Sequence, residues 1–490
     1  MTTDKDTTAL DARSSGTTPR RMPRFAAAMP WVPTAKETNE TQIFELRTES
    51  ATKEEIEQEI KALFARWARL RGAETAQLAK VRYAGPILGA EEYTAMLDAI
   101  FGDWWSGGKF TIHAENKLAQ VSKRNYALLA NSGSSANLIL MSAAREKFFK
   151  DGDKILTLSC GFPTTVNPII QNRLIPVFVD IDLDTLALDP EMLDRALSAD
   201  PGIKGVFVAH TLGFKTRIHE LIDVVRRHNV HIFFDCCDAY GTTYAGEPIQ
   251  AYGKAVSFSF YPAHHVTMGE GGAVATNDDD LHILMRGMRN WGRYCSAEKC
   301  CIRSENPASF CPKAKFTRES CLPEDYSVNY QYEWLGYNLK PLDLQAAILT
   351  KQLERLPEFD AARRRNYLAY QRFFASAPFE LRTWALEDGV SPFAFPIMLG
   401  DSCPFNRKHL TDFLTRNGIE TRLLFAGNLM RHPAYTNRPE YWESIGSHTN
   451  ADRIAERVVM LGVSPVNTDQ HIAYVTEKVG EFFKLWQQSR

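Results

Sequence analysis

No run of apolar residues in this 490-residue chain reaches the length of a membrane span, and its start, MTTDKDTTALDARSSGTTPRR, has no apolar centre of the kind a secretory signal requires. A cytoplasmic protein with no membrane partner is the expectation. Charge of one sign is lacking too: 57 Lys and Arg against 59 Asp and Glu leave a net charge of -2, which gives no electrostatic case for binding nucleic acid. Nine cysteines are few for a secreted disulfide scaffold of this length. Lysine is missing from a whole stretch, none occurring between Lys254 and Lys299, so no ε-amine is available there as a nucleophile.

What is present points to small-molecule chemistry in a soluble globular protein. With 44% apolar residues the chain can bury one large core, and a large domain with a smaller one is the expectation. Residues 1–45 are rich in Thr, Ser, Pro and Ala without apolar periodicity and read as a flexible tail, either solvated or, through Arg20, Arg21 and Arg24, a basic arm. From Thr52 the apolar residues Ile56, Ile60, Leu63, Phe64 and Trp67 recur at helical spacing, which predicts an amphipathic helix. The runs KILTLS, PVFVD, GVFVAH, HIFFD and AVSFSF then alternate with helical stretches such as Ile218 to His228. That alternation predicts an α/β fold with a mostly parallel sheet, in which ligands gather at the carboxyl ends of strands.

The candidate site residues all lie just past such ends. After the run ending at Ala130 comes N-S-G-S-S-A-N-L, a small-residue turn into a helix start, where free N–H groups can hold a phosphate or simply cap the helix. KILTLS is followed by C-G-F-P-T-T-V-N and HIFFD by C-C-D-A. AVSFSF breaks at Pro262 into Y-P-A-H-H-V-T-M-G-E-G-G and resumes as GAVAT, so His264 and His265 sit on a tight excursion between two strands, which we expect to present both imidazoles rather than bury them.

This last stretch resembles the cofactor-lysine loop of the sugar-modifying DegT/DnrJ/EryC1/StrS branch of pyridoxal phosphate (PLP) enzymes, where S-F-x-x-x-K precedes G-E-G-G. Counting back from Gly269 puts the family's lysine at His264. Lysine replaced by histidine resembles the 3-dehydrases of nucleotide-linked 4-keto-6-deoxyhexoses, of the CDP-4-keto-6-deoxy-D-glucose type. The resemblance runs from about Arg82 to the C-terminus. It implies fold-type I, aspartate aminotransferase-like, with a large domain over residues 46–345, a cysteine-bearing insertion at about 293–330, and a smaller C-terminal α+β domain over 346–490. A histidine moves protons but cannot anchor an aldehyde, so the implied cofactor is noncovalent pyridoxamine phosphate (PMP), with His264 as the base. By the same resemblance Gly133, Ser134, Ser135 and Ser259 hold the cofactor phosphate, Phe162 lies on its ring and Asp235 pairs with its pyridine nitrogen. Asn338, in G-Y-N-L-K, reaches the phosphate of a neighbouring subunit, which implies a homodimer. Asp238 stands where the family varies, and Arg422 is either a contact to the nucleotide sugar or a packing residue.

Six of the cysteines fall between Cys236 and Cys311. Iron-sulfur members of the dehydrase group carry a [2Fe-2S] cluster on four cysteines, one beside the cofactor aspartate and three in a later insertion. Here Cys237, Cys295 and Cys311 fit that order, while the third ligand is Cys300 or Cys301, because the group's usual C-x-C is absent. A structural zinc or a [4Fe-4S] cluster are the competing readings of the same thiolates. The implied activity is C3 deoxygenation of a nucleotide-linked 4-keto-6-deoxyhexose, with electrons from an NADH-dependent flavin and iron-sulfur reductase. The rivals are a cluster-free, glutamate-coupled enzyme of the GDP-4-keto-6-deoxymannose 3-dehydratase kind, and a catalytically silent relative that binds the cofactor.

Overall fold

Alternate residues of the buried strands face opposite cores, and this period of two organises the molecule. Leu128, Ile155, Phe207 and Phe233 pack in one apolar cluster, while their chain neighbours Leu129, Leu156, Val206 and Phe234 pack in another. A sheet buried on both faces must be covered by helices on both, and its strands read as continuous apolar runs. The structure, a computed structural model, describes residues 51–74, 80–294, 322–323, 326 and 330–488.

The amphipathic helix predicted from Thr52 is α1 (Lys53–Glu74), followed by α2 (Ala90–Phe101) and α3 (Lys109–Val121). The αβ alternation then gives β1 (Tyr126–Ala130), α4 (Gly133–Phe148), β2 (Lys154–Leu158), α5 (Pro163–Gln171), β3 (Ile175–Val179), α6 (Pro190–Ala199), β4 (Ile203–Ala209), α7 (Ile218–Arg227) and β5 (His231–Asp235). A small hairpin, β6 (Thr243–Tyr244) and β7 (Glu247–Pro248), precedes β8 (Ala255–Ser259), β9 (Gly272–Thr276) and α8 (Asp279–Arg289). The 32-residue α9 (Asp343–Phe374) leads to β10 (Leu381–Thr383), β11 (Ala394–Leu399), α10 (Arg407–Arg416), β12 (Thr421–Arg422), the short α11 (Pro433–Thr436), β13 (Glu443–Ser444), α12 (Thr449–Arg457), β14 (Val458–Gly462) and α13 (Asp469–Gln488).

Eight strands form the main sheet in the order β1-β9-β8-β5-β4-β2-β3-β13. All of its pairings are parallel except the two made by β9, which runs antiparallel between β1 and β8. A second, four-stranded sheet, β10-β11-β14-β12, is antiparallel throughout. The fold is the expected α/β type, and the described residues from Lys53 onward form one compact unit. Among the described residues no helix is long and apolar enough to cross a membrane.

Candidate active site

Strand register brings the candidate residues to one edge. Gly272, the first residue of β9, pairs with both Ala130 at the end of β1 and Ser259 at the end of β8, while Asp235 at the end of β5 pairs with Ser257. The carboxyl ends of three parallel strands therefore lie side by side, where chain reversals leave polar groups free for a ligand.

The turn from β1 into α4 is tightly built. Ser132 is the N-cap, its Oγ accepting from the Ser135 N–H at 3.0 Å. A Cβ on Gly133 would stand 2.6 Å from the Ser259 Cβ, and one on Gly272 would stand 2.4 Å from the Ser132 carbonyl oxygen, so only glycine permits this approach. The result is a cradle in which the Ser259 hydroxyl sits beside the first-turn N–H groups of a 16-residue helix, at its positive dipole end. Gly133, Ser134 and Ser259 line the adjoining cavity together with Ser132. Ser135 does not line it: its N–H and its hydroxyl, 2.9 Å from the Ser132 Oγ, are both engaged with the cap.

Asp235 is buried and firmly oriented. Its Oδ2 accepts from the Asn137 amide and the Thr165 hydroxyl, each at 2.8 Å, and its Oδ1 accepts from the Cys237 N–H at 3.0 Å. Asn137 is held in turn by the Ser257 hydroxyl at 2.5 Å. Such a carboxylate presents one fixed negative edge to the cavity, which is the partner a protonated ring nitrogen needs. Phe162, the residue before α5, is 51% exposed and lines the same cavity, meeting Phe425 edge-on at 6.1 Å. A phenylalanine left this open inside a concavity offers an apolar face to whatever enters it.

The histidine loop corrects one expectation. It does not present both imidazoles: His265 is 3% exposed, its Nε2 3.1 Å from the Ser391 carbonyl oxygen, and His264 keeps only 15% of its side chain exposed. The reason is Arg363 on α9. This buried guanidinium donates to the carbonyl oxygens of His264 at 2.9 Å, Ala263 at 3.4 Å and Phe393 at 3.1 Å, and so draws the loop against the body. His264 nonetheless lines the cavity, with its Nδ1 3.7 Å from the Asp238 Oδ1. Burial, aided by the Arg363 charge and opposed by the Cys237 backbone, pushes His264 down to about 3, so that its imidazole is neutral at physiological pH. Burial and the neighbouring Asp235 charge push Asp238 up to about 8, against the pull of the Leu212 backbone and Arg363.

The cavity enclosed by these groups measures about 820 Å3. That lies within the size range of sites for cofactors and drug-sized ligands, toward its upper end. The set fits the cofactor that the resemblance implies: a cradle for a phosphate, an open aromatic face, an oriented carboxylate, and a neutral imidazole in place of an amine. Asn338 lies outside this chain's cavity, exposed, with its Oδ1 accepting from Lys340 at 2.6 Å.

Of the expected cluster cysteines only Cys237 is described; Cys295, Cys300, Cys301 and Cys311 lie outside the described residues. Cys237 lines the cavity beside Asp235, and burial together with the Asp235 charge pushes its thiol up. Among the described residues no group of three or more His, Cys, Asp and Glu is arranged to hold a metal.

Asn137, Thr165, Arg363 and Tyr83 escaped sequence reasoning. Asn137 left a signal, a polar residue in an otherwise apolar helix face, but Arg363 sits in an R-R-R run that reads as a solvated surface.

Comparison with known proteins accords with this geometry. The chain is 39% identical over 409 residues, 82% of its length and 91% of the relative's, to the lipopolysaccharide biosynthesis protein RfbH of Salmonella typhimurium. It is 35% identical over 408 residues, 82% of its length and 86% of the relative's, to the dTDP-4-dehydro-2,6-dideoxy-D-glucose 3-dehydratase of Saccharopolyspora spinosa. In fold it is similar to the E coli GDP-4-keto-6-deoxy-D-mannose-3-dehydratase solved with bound hydrated PLP, with a TM-score of 0.71 and 24% identity over 81% of this chain and 99% of that one. Residues 86–480 match the profile of the DegT/DnrJ/EryC1/StrS aminotransferase family, and this chain belongs to that family.

Proposed function

We propose that this protein is a PMP-dependent, iron-sulfur-dependent 3-dehydrase that removes the C3 hydroxyl of a nucleotide-linked 4-keto-6-deoxyhexose. The observation that carries the reading is His264, an imidazole in the position of the family's lysine, lining the same cavity as the anchored Asp235. The reading is supported by a relative named as a 3-dehydratase of a nucleotide-linked keto-deoxysugar at 35% identity. When bound, the cofactor supplies an amine for the substrate ketone and an electron sink in its ring.

The chain's own residues divide the work. Gly133, Ser134 and Ser259 hold the phosphate, Phe162 covers the ring, and Asp235 keeps the ring nitrogen protonated. His264 is neutral and therefore able to take a proton at Nδ1, which has no hydrogen-bond partner among the described residues. Asp238, 3.7 Å away, adjoins that nitrogen and fixes the electrostatic setting of the transfer. Loss of the C3 hydroxyl as water leaves a product two electrons short of the 3,6-dideoxy-4-ketosugar. Cys237, Cys295, Cys311 and either Cys300 or Cys301 would hold a [2Fe-2S] cluster, whose chemistry would be single-electron transfer, with an NADH-dependent flavin and iron-sulfur reductase as the electron source. Two copies of the chain would complete each site through Asn338.

A second reading, the cluster-free and glutamate-coupled dehydratase, is favoured by the likeness to GDP-4-keto-6-deoxy-D-mannose 3-dehydratases, 26% identical over 388 residues for the one from Yersinia pseudotuberculosis. Iron and sulfide analysis of anaerobically purified protein separates the two. Iron and sulfide in equal amounts, with turnover that needs PMP and the reductase, is the expected result. Neither element, with glutamate supporting turnover, would establish the second reading; zinc in their place would make the thiolate site structural. Absence of turnover on every nucleotide-linked 4-ketosugar offered would leave a cofactor-binding partner protein.

A further inference from the structure

Helix α1 carries more apolar surface than the described part of the chain covers. Its residues Ile56, Ile60, Leu63, Trp67 and Leu70 follow one another at steps of four, three, four and three. That is the spacing of a seam along which two helices pair, because a step averaging 3.5 residues keeps every member on one narrow line. α2 packs beside this line rather than on it: Lys61 reaches the Asp98 carboxylate at 2.5 Å, Trp67 meets the Tyr93 ring edge-on at 5.3 Å, and Ala68 is buried. The line itself stays open, with Leu63 54%, Trp67 47% and Leu70 60% exposed. A row of large apolar side chains left this open marks a surface that a partner covers.

The charges beside the seam say which partner fits. The first half of α1 carries Glu54, Glu55, Glu57 and Glu59 against Lys53 alone, and the second half carries Lys61, Arg66, Arg69 and Arg71 with no acidic residue before Glu74. Glu59 and Arg66 stand seven residues apart, so both flank the seam on the side away from α2, and both are exposed. Glu57 pairs with Lys53 and Lys61 with Asp98, whereas Glu59 and Arg66 form no ion pair among the described residues.

A second copy of the same helix, laid antiparallel along the seam, brings Glu59 of each chain against Arg66 of the other. The exchange is centred beside Leu63, close to the middle of this 22-residue helix, so the acidic half of each copy faces the basic half of the other. A parallel copy would instead set Arg66 beside Arg71 and the acidic halves side by side, which is repulsive. An anionic lipid surface would attract the second half and repel the first. The surface also continues beyond the helix. Lys61 lies 5.8 Å from the centre of the Phe101 ring at the end of α2, and the chain then presents Trp104, 63% exposed, and Trp105, 53% exposed.

We propose that α1 is a self-recognition element, pairing antiparallel with the α1 of a second copy of this chain across a two-fold axis beside Leu63.

The test is sedimentation velocity on full-length protein over a range of concentrations. Leu63→Asp should weaken self-association about 100-fold or more, since it sets two carboxylates against each other at the axis. Arg66→Glu alone and Glu59→Lys alone should each weaken it about 10-fold, by turning two attractive contacts into repulsive ones, and the effect should shrink as salt is raised. Both substitutions in one chain restore complementarity and should return the wild-type affinity. An equal mixture of the two single charge variants should associate as the wild type does. Both charge variants alter exposed positions, so their thermal midpoints should match that of the wild type, and they decide the question if Leu63→Asp does not fold. Self-association unchanged in all three single variants overturns the proposal and gives the seam to a different partner. Weakening in both charge variants with no restoration in the double variant overturns the antiparallel pairing.

Discussion

A glycine and a buried histidine show how much single positions decide. Gly133 has no room for a methyl group, since its Cβ would meet Ser259 at 2.6 Å and neither neighbour is the free end of a long side chain. Gly133→Ala should therefore displace the Ser259 hydroxyl, abolish retention of the cofactor absorbance through gel filtration, and lower stability by about 1–3 kcal/mol. Retention at the wild-type level would remove this turn from the phosphate site. His210 tests burial instead. It is 1% exposed, its ring lies 4.6 Å from that of Phe234, and burial alone pushes it down to about 3. Its folded value lies below the ordinary 6.5, so the unfolded chain takes up a proton first, and stability is lost as pH falls from about 6.5 toward 3. Between pH 7 and pH 5 that loss amounts to about 2 kcal/mol, and His210→Gln, which has nothing to titrate, should shrink the measured drop in unfolding free energy by that amount. At this scale the sequence was legible where chemistry is local. Asp235 ends a strand, and Phe162 and His264 follow strand ends within a few residues, whereas Arg363 reaches His264 across about 100 residues of chain, and no pattern in either segment encodes that contact.

Elements were legible where burial is two-sided. KILTLS, HIFFD and AVSFSF became β2, β5 and β8 because a strand covered on both faces needs an unbroken apolar run. The short strands β12 and β13, two residues each, carry no such run and left no sequence signal. The joint between α9 and α3 was equally silent. Asp343, in the first turn of α9, turns its carboxylate to the start of α3: Oδ1 accepts from the Gly108 N–H at 2.8 Å, the Thr111 N–H at 2.8 Å and the Thr111 hydroxyl at 2.7 Å. It thus caps another helix than its own, and at 3% exposure it does so out of water. Asp343→Ala would strand those donors, and a loss of about 3 kcal/mol in guanidinium unfolding is expected, with Asp343→Asn losing less because one acceptor oxygen remains. An alanine variant with the wild-type midpoint would mean that the α3 start is satisfied by solvent.

At the scale of the whole molecule, the surface around Asn338 is what a single chain leaves unexplained. Leu335 is 91% exposed, Trp104 63%, Trp105 53% and Leu342 48%. Trp105 and Leu342 adjoin, since the Asp343 N–H donates to the Trp105 carbonyl and Ser106 bridges to Leu342, while Asn338 bridges to Asn290 beside the exposed Trp291. Large apolar side chains left this exposed are the mark of a protein contact. If two chains meet there, burying Leu335 alone contributes about 1.5–3 kcal/mol, and Asn338 is carried to the partner's cavity. Light scattering should then give a dimer mass for the full-length protein. Leu335→Asp should shift it toward monomer and weaken PMP binding together, because a monomer loses the donor that its neighbour supplies. Asn338→Ala should weaken PMP while the mass stays dimeric. These variants separate assembly from ligation, since a merely structural asparagine would change neither mass nor affinity. A monomer that holds PMP as tightly as wild type would show that one chain suffices for the cofactor, and the exposed apolar surface would then belong to another partner.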